Sequence, residues 1–164
     1  MSMALEAIRA IAEYLPTVVK EPGNLDAREQ VLYGASLAGA ALGAGVTSLH
    51  HRLCHTLGGS FKTPHAETHT ILLPYSVAYA APAVPDLMAR IAEALGADHA
   101  AQGIYDLSSG MGLPTSLRDI GIGEEDLTRI ADIATETAIE NPAPVTRDGV
   151  VDLLQNAYAG TRPA

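Results

Sequence analysis

Hydrophobic residues recur at the three-to-four-residue spacing of helices along most of this 164-residue chain, in segments that turn residues separate. The first segment predicts an amphipathic helix over residues 4–15, which we expect Pro16 to end. Another helix is expected to begin near Pro64 and to be kinked at Pro74. Later segments predict helices over residues 85–95, 98–111, 124–139 and 150–158, the last of them capped by Thr146. No segment of useful length alternates apolar and polar residues as a strand does, so the pattern predicts an all-α fold.

A run without Asp, Glu, Lys or Arg extends from residue 31 to residue 51 and is rich in Gly and Ala. Gly39 and Gly43 form a small-xxx-small pair, which can be the dimerisation face of a membrane helix. Larger apolar residues are sparse in the run, however, and His50 and His51 end it. We therefore interpret it as a central helix buried on all sides, whose glycines let neighbouring helices approach closely, and we expect no membrane association.

Composition and charge narrow the class of protein further. The length fits one all-helical domain over residues 1–164 with no nucleotide-binding domain, and abundant Ala favours closely packed helices. A formal net charge of −9 argues against a nucleic acid partner, because binding to phosphates needs a basic surface. The lone cysteine permits no internal disulfide, and Glu6 and Arg9 stand where a secretory signal would be apolar. These features predict a cytoplasmic protein.

Five of the six histidines fall within residues 49–69, and this segment is the candidate site. His51 and His55 lie four residues apart, as do His65 and His69, so each pair shares one face of a helix. Two glycines and a proline between the pairs predict a helix, a sharp turn and a second helix, which would let His51 and His55 face His65. Imidazole is well suited to proton transfer or metal binding near neutral pH.

Other common catalytic patterns are missing from the sequence. It contains no GxGxxG, no P-loop, no HExxH and no GxSxG. Cys54 could be a reactive thiolate beside the histidines, but we interpret it as a small buried thiol. We interpret His50 and His99 as satisfied structural groups, because that is the usual state of a single histidine in a protein.

The histidine segment and its neighbours resemble the C-terminal helical domain of maleylacetate reductases. These enzymes belong to the iron-containing alcohol dehydrogenase superfamily, whose helical half has a dehydroquinate synthase-like fold. The resemblance covers nearly the whole chain, and the segments that carry it are residues 32–35 (LYGA), 37–39 (LAG), 49–74, 113–121 (LPTSLRDIG) and 141–147. It implies a helical bundle of that family.

The resemblance also implies an activity and roles for several residues. Members of the family reduce maleylacetate to 3-oxoadipate with NADH or NADPH, a step in aromatic degradation. Their N-terminal half, which is Rossmann-like, binds the dinucleotide. His51 and His65 match the positions that bind iron or zinc in metal-dependent relatives, and they would be ligands here only if a metal is bound. His55 matches a histidine near the nicotinamide and the substrate, which makes it a candidate for proton transfer.

The sequence departs from the family in several places. The dinucleotide-binding half is absent, and so is the helix that carries the two upstream metal ligands, which leaves the ligand set incomplete. Tyr75, Ala80 and Ala143 stand where His, Asn and Arg are expected, and Ser36 stands where Trp is usual. Maleylacetate is a dianion, so the missing Arg removes one expected partner for a carboxylate.

Three functional hypotheses follow. In the first, the chain is the helical half of a reductase, and a separate Rossmann-like subunit supplies the cofactor. In the second, it is a cofactor-free lyase, isomerase, decarboxylase or cyclase, most simply a homodimer. In the third, it is a non-catalytic remnant or interaction module. In the first two hypotheses the chain acts on a small-molecule substrate. The catalytic candidates are then His51, His55 and His65. The candidates for substrate binding are His69 and Tyr75.

Overall fold

The computed structural model describes residues 2–164, of which 74% are helical and none forms a strand. This confirms the all-α prediction. The α-helices are α1 (Ser2–Lys20), α2 (Leu25–Gly43), α3 (Leu49–Thr56), α4 (His65–Ala80), α5 (Pro85–Leu95), α6 (Ala100–Gly110), α7 (Leu127–Thr135) and α8 (Arg147–Ala159). Within residues 2–164, no helix has both the length and the apolar character that crossing a membrane requires.

Helices α1 and α2 pack against each other as a helical hairpin. The side-chain oxygen of Asn24 caps α2 by accepting a hydrogen bond from the Ala27 amide at 3.0 Å. The prediction that Pro16 ends α1 is wrong, because the helix continues through it to Lys20. Proline removes one backbone hydrogen bond, and the packing of α1 on α2 is sufficient to keep the helix intact beyond that point.

The prediction of a buried central helix over residues 31–51 is also wrong. Helix α2 ends at Gly43, and a non-helical connection leads to the separate helix α3. Only Ala27 and Gly34 of α2 are buried, while Leu32 is 66% exposed and Leu42 is 54% exposed. The reason is that, among residues 2–164, α2 packs mainly on α1, and much of the rest of its surface stays exposed.

The hydrophobic core lies between α3, α4, α7 and α8. Its fully buried large side chains are Leu49, Leu53, Leu57, Ile71, Leu72, Leu117, Ile130, Val150 and Leu154. Helices α5 and α6 form a second group that packs against α1 and α4. Helix α4 continues through Pro74 and contacts both groups, so the second half of the histidine segment is fixed in the centre of the fold.

Several predicted helix ends are confirmed, and one more, besides that of α1, is not. Helix α5 covers the predicted residues and ends at Gly96, whose φ of 67° is the left-handed conformation that glycine adopts readily. Thr146 caps α8 by accepting a hydrogen bond from the Gly149 amide at 3.2 Å. The helix predicted to reach residue 139 ends at Thr135 instead. The chain beyond it is tied to the start of α3, because the Ser48 hydroxyl donates to the Glu140 carbonyl at 2.7 Å.

Replacing Gly34 by Leu is expected to lower the free energy of unfolding by about 1–3 kcal/mol. A Cβ at this position would lie 2.9 Å from Cγ1 of Ile11 and 3.2 Å from the Ala7 carbonyl, so the two helices would have to separate. Gly39→Leu on the same helix is the matched control, because a Cβ there would have no neighbouring atom within 4 Å. The control should instead gain up to about 1 kcal/mol from helix propensity. Urea unfolding, monitored by circular dichroism, measures the unfolding free energy of both variants. Equal changes in the two variants would contradict the close approach of α1 and α2.

Candidate functional site

Helices α3 and α4 bring five histidines together, and we call His50, His51, His55, His65 and His69 the histidine cluster. The predicted helix, turn and helix are present. One turn of π-helix, Leu57–Phe61, follows α3, and the left-handed backbone of Lys62, with a φ of 60°, then reverses the chain. Both helices are anchored in the core by neighbouring leucines, so the histidines lie on a rigid support.

His69 lies at the centre of the histidine cluster. Its ring centroid is 4.3 Å from that of His65, 4.9 Å from that of His50 and 5.3 Å from that of His51. The His55 ring lies 6.2 Å from the His51 ring, at the outer end of the cluster. The sequence predicted that His51 faces His65. In the structure the ring of His69 lies close to both of them.

His50 belongs to the cluster, and its interpretation as a satisfied structural group stays a prediction, because one of its ring nitrogens is paired and the other is not. Nε2 of His50 lies 3.0 Å from Nδ1 of His69, within hydrogen-bond distance. The other ring nitrogen of each residue is buried and has no hydrogen-bond partner among the described residues. A sequence signal was available, because His50 and Cys54 form a third pair at the four-residue spacing that places two side chains on one helix face.

Burial keeps the two hydrogen-bonded histidines neutral. It lowers the pKa of His50 to about 4, and the nearby rings of His69 and His51 act in the same direction. Burial is also the main cause that lowers the pKa of His69, followed by repulsion from His65, His51 and His55. Neutral imidazoles keep a lone pair with which to accept a proton or bind a cation.

Cys54 is a buried thiol, as the sequence suggested, with 3% of its surface exposed. Burial raises the pKa of the Cys54 thiol to about 12, so at neutral pH it is protonated. Its Sγ lies 3.8 Å from Nε2 of His50. A protonated thiol is a weak nucleophile, which disfavours the alternative of a reactive thiolate.

His55 is an exposed member of the histidine cluster and borders an open cleft. This cleft has a volume of about 470 Å³ and lies between the start of α3 and the segment that follows α7. Arg52, one helical turn before His55, also lines it, and so do Glu136 and Glu140. Among residues 2–164 no carboxylate lies within ion-pair distance of the Arg52 guanidinium. Arg52 was not among the predicted site residues, because one arginine beside several histidines carries no distinctive pattern.

Tyr75 lies apart from the histidine cluster. It is buried in the hydrophobic core, its hydroxyl has no partner among the described residues, and burial raises its pKa. It borders a different cavity, of about 500 Å³, that α4 forms with α8 and the last residues of the chain. Its role in substrate binding stays a prediction.

The two residues with possible metal-binding roles do not form a complete metal site in this chain. Among residues 2–164, His51 and His65 belong to no group of three His, Cys, Asp or Glu side chains whose ligand atoms lie together. A catalytic zinc or iron site normally uses at least three protein ligands. The residues present therefore do not fit the family's metal, and we assign no metal-dependent step to them.

Comparison with known proteins identifies similar folds and sequences. Residues 1–158 match the model of the Fe-containing alcohol dehydrogenase family, C-terminal. Over 161 residues the chain is 50% identical to a maleylacetate reductase of Rhizobium sp. strain MTP-10005, a match that covers 98% of this chain and 46% of the relative. The chain thus spans about half the length of the curated relatives it matches.

Solved structures give the same result for the fold. A crystal structure of the maleylacetate reductase from Rhizobium sp. strain MTP-10005 matches with a TM-score of 0.95 and 49% identity, covering 99% of this chain and 46% of that chain. An iron-containing alcohol dehydrogenase from Corynebacterium glutamicum matches with a TM-score of 0.92 and 39% identity. This match also covers 99% of this chain and 46% of that chain. These matches confirm the predicted fold, a helical bundle like the C-terminal domain of iron-containing alcohol dehydrogenases.

Proposed function

This chain belongs to the Fe-containing alcohol dehydrogenase family, as its C-terminal domain, and we propose that it is the substrate-binding half of a maleylacetate reductase. It would bind maleylacetate and supply a proton, while a dinucleotide-binding unit outside these 164 residues would hold NADH or NADPH. The strongest support is that the histidine cluster is assembled in a chain that is 50% identical to a maleylacetate reductase.

The proposed reaction adds hydrogen across the carbon–carbon double bond of maleylacetate and gives 3-oxoadipate. A reduced nicotinamide supplies the hydride to one carbon when it is bound, and the other carbon needs a proton. We assign the proton to His55, because it is exposed, borders the cleft and carries an imidazole, the side chain that serves most often as a general acid. His51 is the adjacent ring, and we assign it the role of orienting His55.

Arg52 is the residue that we assign to a substrate carboxylate. Its guanidinium lines the cleft beside His55 and has no ion pair among the described residues, so it is available for a bidentate contact. It would partly replace the arginine that the family resemblance leads one to expect at Ala143. His65 would contact the rest of the substrate from α4. A substrate contact of His69 would need its buried Nε2 to become accessible, because its Nδ1 is paired with His50.

Apolar surface on α1 and α2 supports the need for a covering unit. Leu25, Leu32 and Leu42 of α2 are each more than half exposed, at 76%, 66% and 54%. An apolar groove of about 540 Å³ also runs between α1, α2, α4, α5 and α6. Apolar surface of this extent usually marks an interaction site. A dinucleotide-binding unit or a second copy of the chain would cover it.

A chimeric enzyme tests the proposed function. The N-terminal part of the Rhizobium maleylacetate reductase that this chain does not match is fused to this chain, and oxidation of NADH is followed with maleylacetate present. We expect maleylacetate-dependent oxidation by the chimera and none by the isolated chain. A folded chimera that binds NADH but leaves maleylacetate unchanged would contradict the proposal. Conversion of maleylacetate by the isolated chain without a nicotinamide would favour a cofactor-free enzyme instead.

A further inference from the structure

We propose that His50, Cys54 and His69 form a binding site for Zn²⁺, separate from the positions of His51 and His65. One ligand atom from each of the three side chains lies within 4.8 Å of the other two. His50 and Cys54 share a face of α3, and His69 approaches them from α4. This inference does not depend on the proposed reductase function.

Two of the three distances between the ligand atoms are close to those of a tetrahedral zinc site, and the third, between Cys54 and His69, is within 4.8 Å. Bonds of about 2.0–2.1 Å to nitrogen and about 2.3 Å to sulfur place the ligand atoms of a tetrahedron about 3.3–3.6 Å apart. The two histidine nitrogens are 3.0 Å apart, and the His50 nitrogen is 3.8 Å from the Cys54 sulfur. Small side-chain rotations about fixed helices would complete the geometry.

The chemistry of the three donors favours zinc over the hard cations. One thiol and two imidazoles make a borderline-soft ligand set, which suits Zn²⁺ and is unsuited to Mg²⁺ or Ca²⁺. Both imidazoles are held neutral, as a ligand must be. In the metal-free protein their nitrogens share a single hydrogen bond, which two metal–nitrogen bonds would replace.

Binding requires that Cys54 loses its proton to the solvent and bonds to the cation as a thiolate. The positive charge of the ion favours this ionisation, which burial opposes in the metal-free protein. An ion can approach from the side of His65, which is exposed and whose ring lies 4.3 Å from that of His69. Three protein ligands leave the fourth position to water.

Titration of the full, reduced and metal-free chain with Co²⁺ and then Zn²⁺ tests the site. We expect one equivalent of Co²⁺ to give thiolate-to-cobalt charge-transfer absorption and the visible bands of tetrahedral cobalt, and Zn²⁺ to displace it. Cys54→Ala and His69→Gln should each weaken Zn²⁺ binding by more than about 100-fold, beyond the 10–100-fold that losing an outer-shell partner costs. Circular dichroism establishes that each variant is folded, and His50→Gln provides a third variant.

His65→Gln and His99→Gln are the matched controls, and both should keep the thiolate absorption. His65 occupies the metal position that the family resemblance implies, and His99 is an exposed histidine outside the cluster. Cobalt binding without thiolate absorption would overturn the inference. Loss of cobalt binding in His65→Gln but not in Cys54→Ala would overturn it too. The absence of any binding to the folded chain would overturn it as well.

Discussion

Replacing His55 by Gln is expected to slow maleylacetate reduction by the chimeric enzyme about 10²–10⁴-fold, which is the usual contribution of a positioned general acid. Glutamine keeps much of the size and polarity of histidine but cannot deliver a proton. Because the side chain of His55 is exposed, its replacement should leave the fold unchanged. Steady-state oxidation of NADH at saturating maleylacetate measures the effect on kcat.

Two controls separate proton transfer from a structural effect. His99→Gln in the same chimera removes another exposed histidine and should leave kcat unchanged, because this residue lies outside the histidine cluster. Binding of NADH, followed by its fluorescence, should be the same in both variants. If His55→Gln lowers kcat by less than about threefold, the proton comes from another group, and His51 is the next candidate by its ring contact.

Acidification is expected to destabilise the metal-free chain between pH 6.5 and about 4, because His50 has its ordinary pKa of 6.5 when unfolded and about 4 when folded. Within this window the unfolded chain binds a proton at His50 that the folded chain excludes. Stability is therefore fully present above pH 6.5 and falls as the pH drops. The lowered pKa of His69 acts in the same direction. The loss attributable to His50 across the window is roughly 3 kcal/mol.

Urea unfolding at a series of pH values, with a chelator present, measures this dependence. His50→Gln should have a shallower slope of unfolding free energy against pH, whatever its stability at neutral pH. His99→Gln should keep the slope of the unmodified chain, because this histidine is exposed. Equal slopes for the chain and His50→Gln would show that His50 takes up its proton in the folded state.

Local patterns were sufficient to predict the helices and much of the site. The spacing of His51, His55, His65 and His69 around two glycines and a proline predicted two helices and a turn, and the structure has them. Capping at Thr146 and termination at Gly96 were predictable because they depend on single side chains and a single backbone conformation. These features are encoded within a few residues of where they act.

Features that depend on distant contacts were not predictable from the pattern. Helix α1 continues through Pro16 because α2 packs beside it, and no local signal in α1 indicates that support. The uncharged run looked like a buried helix, yet among the described residues α2 packs mainly on α1. The central position of His69, and the inclusion of His50, depend on the angle at which α4 returns toward α3.

The turn between the two histidine helices makes the site sensitive to chain length as well as to residue identity. In the π-helical turn Leu57–Phe61, the Lys62 amide bonds to the Leu57 carbonyl five residues before it, one residue more than an α-helical turn contains. Each residue of a helix rotates the chain by about 100°, so the loss of Gly58 alone would turn α4 away from α3. A relative could therefore keep every histidine of the cluster and still lack the site through a single deletion.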